Sequence, residues 1–92
     1  METRVAVMSI ILEDSARAEE INTILHTYGR YIIGRMGVPY RERGLSIIAL
    51  LVDGSTDALG AMTGKLGNIP GVKVRSVLLT AAGQELSPKE DS

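Results

Sequence analysis

Arg30, Arg35, Arg41 and Arg43 fall within residues 30–43 against a single acid, Glu42, so this stretch carries a net charge of +3. The rest of the chain holds six basic and ten acidic residues, a net of −4, and the two parts give the overall −1. A guanidinium presents a planar fork of donors that suits carboxylates and phosphates. The segment Gly34-Arg35-Met36-Gly37-Val38-Pro39-Tyr40-Arg41-Glu42-Arg43-Gly44 is therefore the candidate binding element. Its target is either a small anionic ligand or an acidic protein partner, contacted by Arg35, Tyr40, Arg41 and Arg43. In extended backbone Arg41 and Arg43 share one face and Glu42 opposes them, and Tyr40 adds a stacking or cation–π surface. The plainer alternative is a solvated hairpin whose arginines pair with Glu42 or with a neighbouring subunit, and whose tyrosine only packs.

Other chemistry is sparse. The chain has no Cys, which excludes disulfides and thiolate sites and fits a cytoplasmic protein. His26 is the only histidine. On a helical wheel it lies about 140° from Ile21, away from the apolar stripe, beside Glu19 and Asn22. That is the position of a surface histidine, so no metal site and no cofactor are expected. No nucleophile–base pair, P-loop or dinucleotide fingerprint occurs, and the protein is not expected to be an enzyme. The near-neutral balance disfavours direct nucleic-acid binding. No apolar run approaches the roughly 20 residues of a membrane span, and an N-terminus that opens directly into Arg4-Val5-Ala6-Val7 gives no expectation of a secretory signal.

The arginine segment needs elements to hold it. Ninety-two residues allow one domain, and a chain this short buries only roughly 60–65% of its unfolded surface, so help from oligomerisation is expected. Val5 to Leu12 is apolar on both alternating faces, which predicts a strand buried on two sides. Asp14 or Ser15 is placed to cap a first helix with its body over Arg17 to Tyr28. Its stripe is Ala18, Ile21, Leu25 and Tyr28, bordered by Ile24, and Gly29 is the C-terminal stop. Arg30 to Met36 reads as a second strand, Gly37–Arg43 as a connection, and Leu45 to Asp53 as a third strand, again apolar on both faces. Asp53-Gly54-Ser55 opens a second helix to about Gly67, with Leu59, Met62 and Leu66 inward. Gly60, Gly64 and Gly67 share its outer side, either for close approach of a backbone or ligand or as a weak surface helix. Ile69-Pro70-Gly71 turns the chain into a last strand, Val72 to Leu79. Residues 1–80 form the single domain, and 81–92 are expected to be a flexible tail.

Within the hairpin, Gly34 interrupts an apolar strand, the mark of a bulge or a close backbone approach. The connection from Gly37 to Gly44 is longer than a tight turn needs, with Pro39 stiffening its tip. It is expected to project from the sheet end and carry Tyr40, Arg41 and Arg43 across a subunit boundary. There the arginines would meet Glu13 and Asp14 of a neighbour or enclose an anionic ligand.

A forty-residue shift lays Ala6-Val7-Met8-Ser9-Ile10-Ile11-Leu12-Glu13-Asp14-Ser15 over Ser46-Ile47-Ile48-Ala49-Leu50-Leu51-Val52-Asp53-Gly54-Ser55, and sets Ile32 on Val72 and Arg35 on Arg75. Two βαβ units predict an α+β, ferredoxin-like βαββαβ sandwich: a four-stranded antiparallel sheet with both helices on one face. Its first and third strands are expected to be central and parallel, joined through right-handed crossovers. Neither of those strands has a polar face, so the helix-free side must expose about four large apolar side chains. Leaving each wet forgoes roughly 1.5–3 kcal/mol. Such a patch marks an interaction surface, and another copy of the chain, in a dimer or tetramer, is the expected cover.

With this repeat, the Ile69-Pro70-Gly71-Val72 turn and the Gly34–Gly44 segment in view, the chain resembles the regulators assigned to the iron-only hydrogenase system. These are small ACT-like proteins similar in fold to the C-terminal domain of nickel-responsive transcription factors. The resemblance covers residues 2–79 and is most specific in Gly34–Gly44. It implies an ACT-like, ligand-sensing homo-oligomer with a regulatory role and no catalytic activity. The other class of function is an adaptor whose arginine-rich hairpin docks an acidic partner. Two departures bear on site chemistry. ACT domains that bind amino acids usually place a glycine-containing turn after strand one, where this chain has Glu13-Asp14-Ser15. Nickel regulators use several His and a Cys, where this chain has His26 alone. On the same fold, acylphosphatase chemistry needs an arginine loop after strand one. Metal chaperones need Cys-x-x-Cys, and RNA-recognition domains need aromatic residues on the central strands. All three are missing.

Overall fold

Ala6, Met8, Ile10 and Leu12 alternate with Val5, Val7, Ser9 and Ile11, and only the first set is fully withdrawn from solvent. That alternation commits the first strand to a sheet with helices on one side. The computed structural model describes residues 3–13 and 15–78. They form β1 (Arg4–Leu12), α1 (Ala18–Thr27), β2 (Ile32–Tyr40), β3 (Leu45–Gly54), α2 (Thr56–Gly67) and β4 (Val72–Leu78). Single 3₁₀ turns over Ser15–Arg17, Gly29–Tyr31 and Arg41–Arg43 link them. The sheet order is β2-β3-β1-β4, so the architecture is the ferredoxin-like α+β sandwich that the repeat predicts. The expected tail lies outside the described residues, as does Asp14.

The expectation of parallel central strands is wrong. β1 and β3 are central but antiparallel, in register from Arg4 opposite Gly54 to Leu12 opposite Ser46. The reason is topological. The α1 crossover makes β2 parallel to β1 but one strand away, and β3, tied to β2 by a hairpin, fills the gap running the other way.

The helices close over the core set. Ile21 and Leu25 of α1 and Leu59, Met62 and Leu66 of α2 cover Met8, Ile10, Leu50 and Val52. Ile69 and Val72 seal the end beneath α2. α2 starts as the sequence suggests, with the Ser55 hydroxyl accepting from the Ala58 N–H at 3.1 Å. α1 is shorter than expected: its N-cap position is Arg17, which makes no side-chain capping bond. Its C-cap is Tyr28, and Gly29 opens a 3₁₀ turn rather than adopting a left-handed stop. The left-handed glycines are Gly44 and Gly71, each at the entrance to a strand.

The internal repeat is visible as a pseudo-twofold. Ser9 pairs with Ala49, the residue onto which the forty-residue shift carries it, so the axis passes between them. The shift also carries the Ile32–Val52 pair onto Val72–Leu12, and both pairs are present. One step on, the correspondence slips. Gly34, not Ile33, faces Leu51, because β2 holds one extra residue there. The bulge anticipated at Gly34 is thus centred on its neighbour Ile33.

Two glycines test this packing in opposite directions. A Cβ on Gly54 would sit 2.8 Å from Tyr31 Cδ1. Gly54→Ala is therefore expected to lose about 1–3 kcal/mol in urea unfolding, as overpacking does. A Cβ on Gly64 meets nothing within 4 Å. Gly64→Ala is expected to gain about 1 kcal/mol in the same assay, the helix-propensity difference.

Candidate functional site

The bulge decides where Arg35 points. Arg35 and Arg75 are equivalent in the repeat, yet Arg75 pairs with Ser9 on the helix-free face while Arg35 pairs with Leu50 on the helix side. A strand alternates with period two, so one extra residue exchanges its faces from that point on. Past Ile33, Arg35 turns toward α1, and its Nη2 donates to Asn22 Oδ1 at 3.0 Å.

There Arg35 borders a slot of about 190 Å³ between α1 and the β2–β3 hairpin. Its apolar lining includes Leu12, Ala18, Ile21 and Ile48, and its polar groups come from Asn22, Arg35 and Ser46. The backbone of Gly37 and the ring of Pro39 complete the wall on the β2 side. A larger shelf of about 480 Å³ adjoins it, lined by Glu13, Arg41, Gly44 and Leu45, and shares Leu12, Pro39 and Ser46 with the slot. Arg35 and Arg41 thus stand at two ends of one cleft. On the shelf Glu13 faces the same space as Arg41 and also meets Lys73 Nζ at 3.6 Å. That pair is solvent-exposed and contributes only about 0–1 kcal/mol. The Glu13 backbone is fixed by its N–H donating to the Gly71 carbonyl at 2.9 Å.

The hairpin itself differs from the expected projecting arm. β2 does not stop at Met36 but continues to Tyr40, which pairs with Leu45. Pro39 is accommodated because β2 is an edge strand. The connection shrinks to the Arg41–Arg43 turn, closed by the Gly44 N–H donating to the Arg41 carbonyl at 3.1 Å with Gly44 at φ 66°. In a 3₁₀ turn successive residues are about 120° apart, so Arg41 and Arg43 diverge instead of sharing a face. Arg43 is exposed on the turn and does not line the cleft. Tyr40 shares the parity of Met36 and Val38 and belongs to the helix-free side. The cation–π contact found among the described residues joins Arg30 to Tyr31, at 5.6 Å. Of the four arginine-segment residues singled out, the fold gathers Arg35 and Arg41 and leaves Tyr40 and Arg43 outside.

Asn22 and Ser46 were not legible as site residues. Asn22 reads as a solvent-side neighbour of His26, and its meeting with Arg35 depends on the bulge. His26 itself is exposed, and among the described residues no cluster of three His, Cys, Asp or Glu could hold a metal ion.

The helix-free sheet face is the second surface of note. Its rows across the four strands read Gly34, Leu51, Val7, Val77; then Met36, Ala49, Ser9, Arg75; then Val38, Ile47, Ile11, Lys73. Met36 is 62% exposed, Val7 52% and Leu51 47%, although all three are apolar. The bulge contributes here as well, since it places Met36 and Val38 on this face where unbroken alternation would place Arg35 and Gly37.

Removing Ile33 should therefore return β2 to the alternation of β4. In an Ile33-deleted chain the nuclear Overhauser contacts between the Arg35 and Asn22 side chains are expected to vanish while those between α1 and β1 persist.

The chain from residue 4 to residue 76 matches the sequence model of the TM1266-like family, described as "Iron-only hydrogenase system regulator, putative". The solved structure of the uncharacterized protein TM1266 from Thermotoga maritima is similar, with a TM-score of 0.82 and 35% identity, over 86% of this chain and 100% of that one. An unknown protein from Galdieria sulphuraria shares the fold at a TM-score of 0.59 and 16% identity. That likeness covers 95% of this chain and 49% of that protein, so this chain spans about half its length. No curated protein matches the sequence.

Proposed function

This chain belongs to the TM1266-like family, and from that membership we propose that it is a cytoplasmic, ligand-sensing homo-oligomer that regulates an iron-only hydrogenase system without catalysing a reaction. The observation that carries the reading is the helix-free face. Its strands pack apolar rows toward solvent, from Met36 and Val38 through Leu51 and Ile47 to Val7 and Ile11. Covering a large aliphatic side chain gains roughly 1.5–3 kcal/mol, and contiguous apolar patches of this kind mark interaction surfaces. A second copy, in a dimer or tetramer, is the partner that the face suits. The cleft is the sensing site, with Arg35 and Arg41 as its cationic groups. Its guanidinium, amide and hydroxyl groups over an apolar floor are those of recognition rather than turnover.

Wild type is expected to scatter light as a dimer or larger at micromolar concentration. Val7→Glu with Leu51→Glu should shift it to a 9.9-kDa monomer that keeps its circular dichroism spectrum. A wild type that stays monomeric at high concentration would overturn the reading.

One observation favours a second reading, an adaptor that docks an acidic partner. Arg41, Arg43 and Tyr40 are all exposed around one turn. Arg41→Ala with Arg43→Ala is expected to leave unfolding unchanged and to weaken capture of an acidic partner or the higher assembly. If assembly and every binding assay match wild type, the two arginines are a solvated rim.

A further inference from the structure

We propose that the slot between α1 and β2 binds a small aliphatic monocarboxylate, with its carboxylate on Arg35 and Asn22 and its hydrocarbon on the apolar floor. The inference rests on the sensing role proposed above and names the ligand class of that site.

Three observations carry it. The first is the bulge at Ile33, which alone separates Arg35 from the orientation of its repeat partner Arg75. Bulges that re-aim a side chain gather beside binding sites. Among the described residues, the re-aimed group is the one side chain that brings a full charge to the slot.

The second is the donor arrangement. Asn22 Oδ1 accepts from Arg35 Nη2, which fixes the guanidinium against α1 and leaves the Asn22 Nδ2 hydrogens for another acceptor. A carboxylate can take one oxygen to the guanidinium, as a charge-assisted hydrogen bond, and the other to that amide. Among the described residues no acid lines the slot, so an ammonium group on the ligand meets no counter-charge from them. This selects a simple acid over a zwitterion.

The third is shape and polarity. A volume of about 190 Å³ is below the roughly 300–1,000 Å³ of pockets for drug-sized ligands. Leu12, Ile21 and Ile48 offer aliphatic contact, and among the described residues no aromatic ring lines the slot to stack a base. A phosphate would meet only one cation among the described residues of the slot, Arg35, for its second charge, and a nucleotide would place its phosphates beside Glu13 on the shelf.

The test is a titration of the full-length protein with sodium acetate, propionate, butyrate and isovalerate, and with inorganic phosphate, followed by side-chain and backbone NMR shifts. Affinity is expected to rise about fourfold per methylene from acetate to butyrate, the gain from burying each CH₂. The Asn22 amide and Arg35 Nε resonances should move, and phosphate should not saturate them. Arg35→Ala should weaken butyrate at least tenfold, and Arg35→Lys should restore only part of that loss. Arg35 is exposed, so these variants should fold. Phosphate binding as tightly as butyrate, no rise with chain length, or shifts centred on the Arg41–Arg43 turn would each overturn the proposal. Light scattering on the same samples separates the two readings. An oligomer that ignores every alkanoate refutes the carboxylate site and leaves the regulatory assembly standing.

Discussion

A β-strand can present each residue to only one side of its sheet, and in this chain a single added residue settles which side receives which chemistry. Up to Ile32, β2 follows the pattern of its repeat partner β4. Beyond Ile33 its faces are exchanged. The cost is one interrupted step in the ladder with β3, at an edge where the backbone is less constrained than in the centre. The return is double: a guanidinium is delivered to the cleft, and two large aliphatic side chains are delivered to the opposite surface. Neither surface would have its present character if β2 copied β4 throughout.

The rest of the architecture explains why the added residue can sit there. β1 and β3 form the centre of the sheet, and their inner residues Met8, Ile10, Leu50 and Val52 are inaccessible beneath the helices. Irregularity in either strand would displace this core. The outer strands have more latitude, and each uses it differently. β4 keeps regular alternation and carries Lys73 and Arg75 on the helix-free side, charges of the kind that guard an edge. β2 carries a bulge, two glycines and a proline and puts its charge on the other side.

Most of the fold can be read from residue types. Two-sided apolar strands, the Ser55 cap, the inward trio of Leu59, Met62 and Leu66, and the forty-residue echo together lead to the observed layers. The direction of β3 relative to β1 is not legible in local patterns, because it follows from how the β2–β3 hairpin returns the chain into the gap beside β1. The site was less legible. Gly37 and Pro39 suggested a loop, since both weaken strands, yet an edge position removes the objection to proline. Arg41-Glu42-Arg43 suggested extended alternation, whereas Gly44 in a left-handed conformation closes a tight turn. Asn22 was invisible for a different reason. Its role depends on a contact thirteen residues away, which exists only because Ile33 shifts the register between them.

The pseudo-twofold through Ser9 and Ala49 has a consequence for docking. The axis emerges at the centre of the helix-free face, where the small side chains of Ser9 and Ala49 stand together. A partner surface seated there meets almost the same central contacts after a half turn, with Leu51 and Val7 replaced by Ile11 and Ile47. Such a face is close to orientationally degenerate at its middle and must be resolved at its margins. The half turn exchanges Met36 with Arg75 and Gly34 with Lys73. Thioether against guanidinium, and bare backbone against ammonium, are pairs that no single complementary surface satisfies equally. The margins therefore impose a heading on a face whose centre has none.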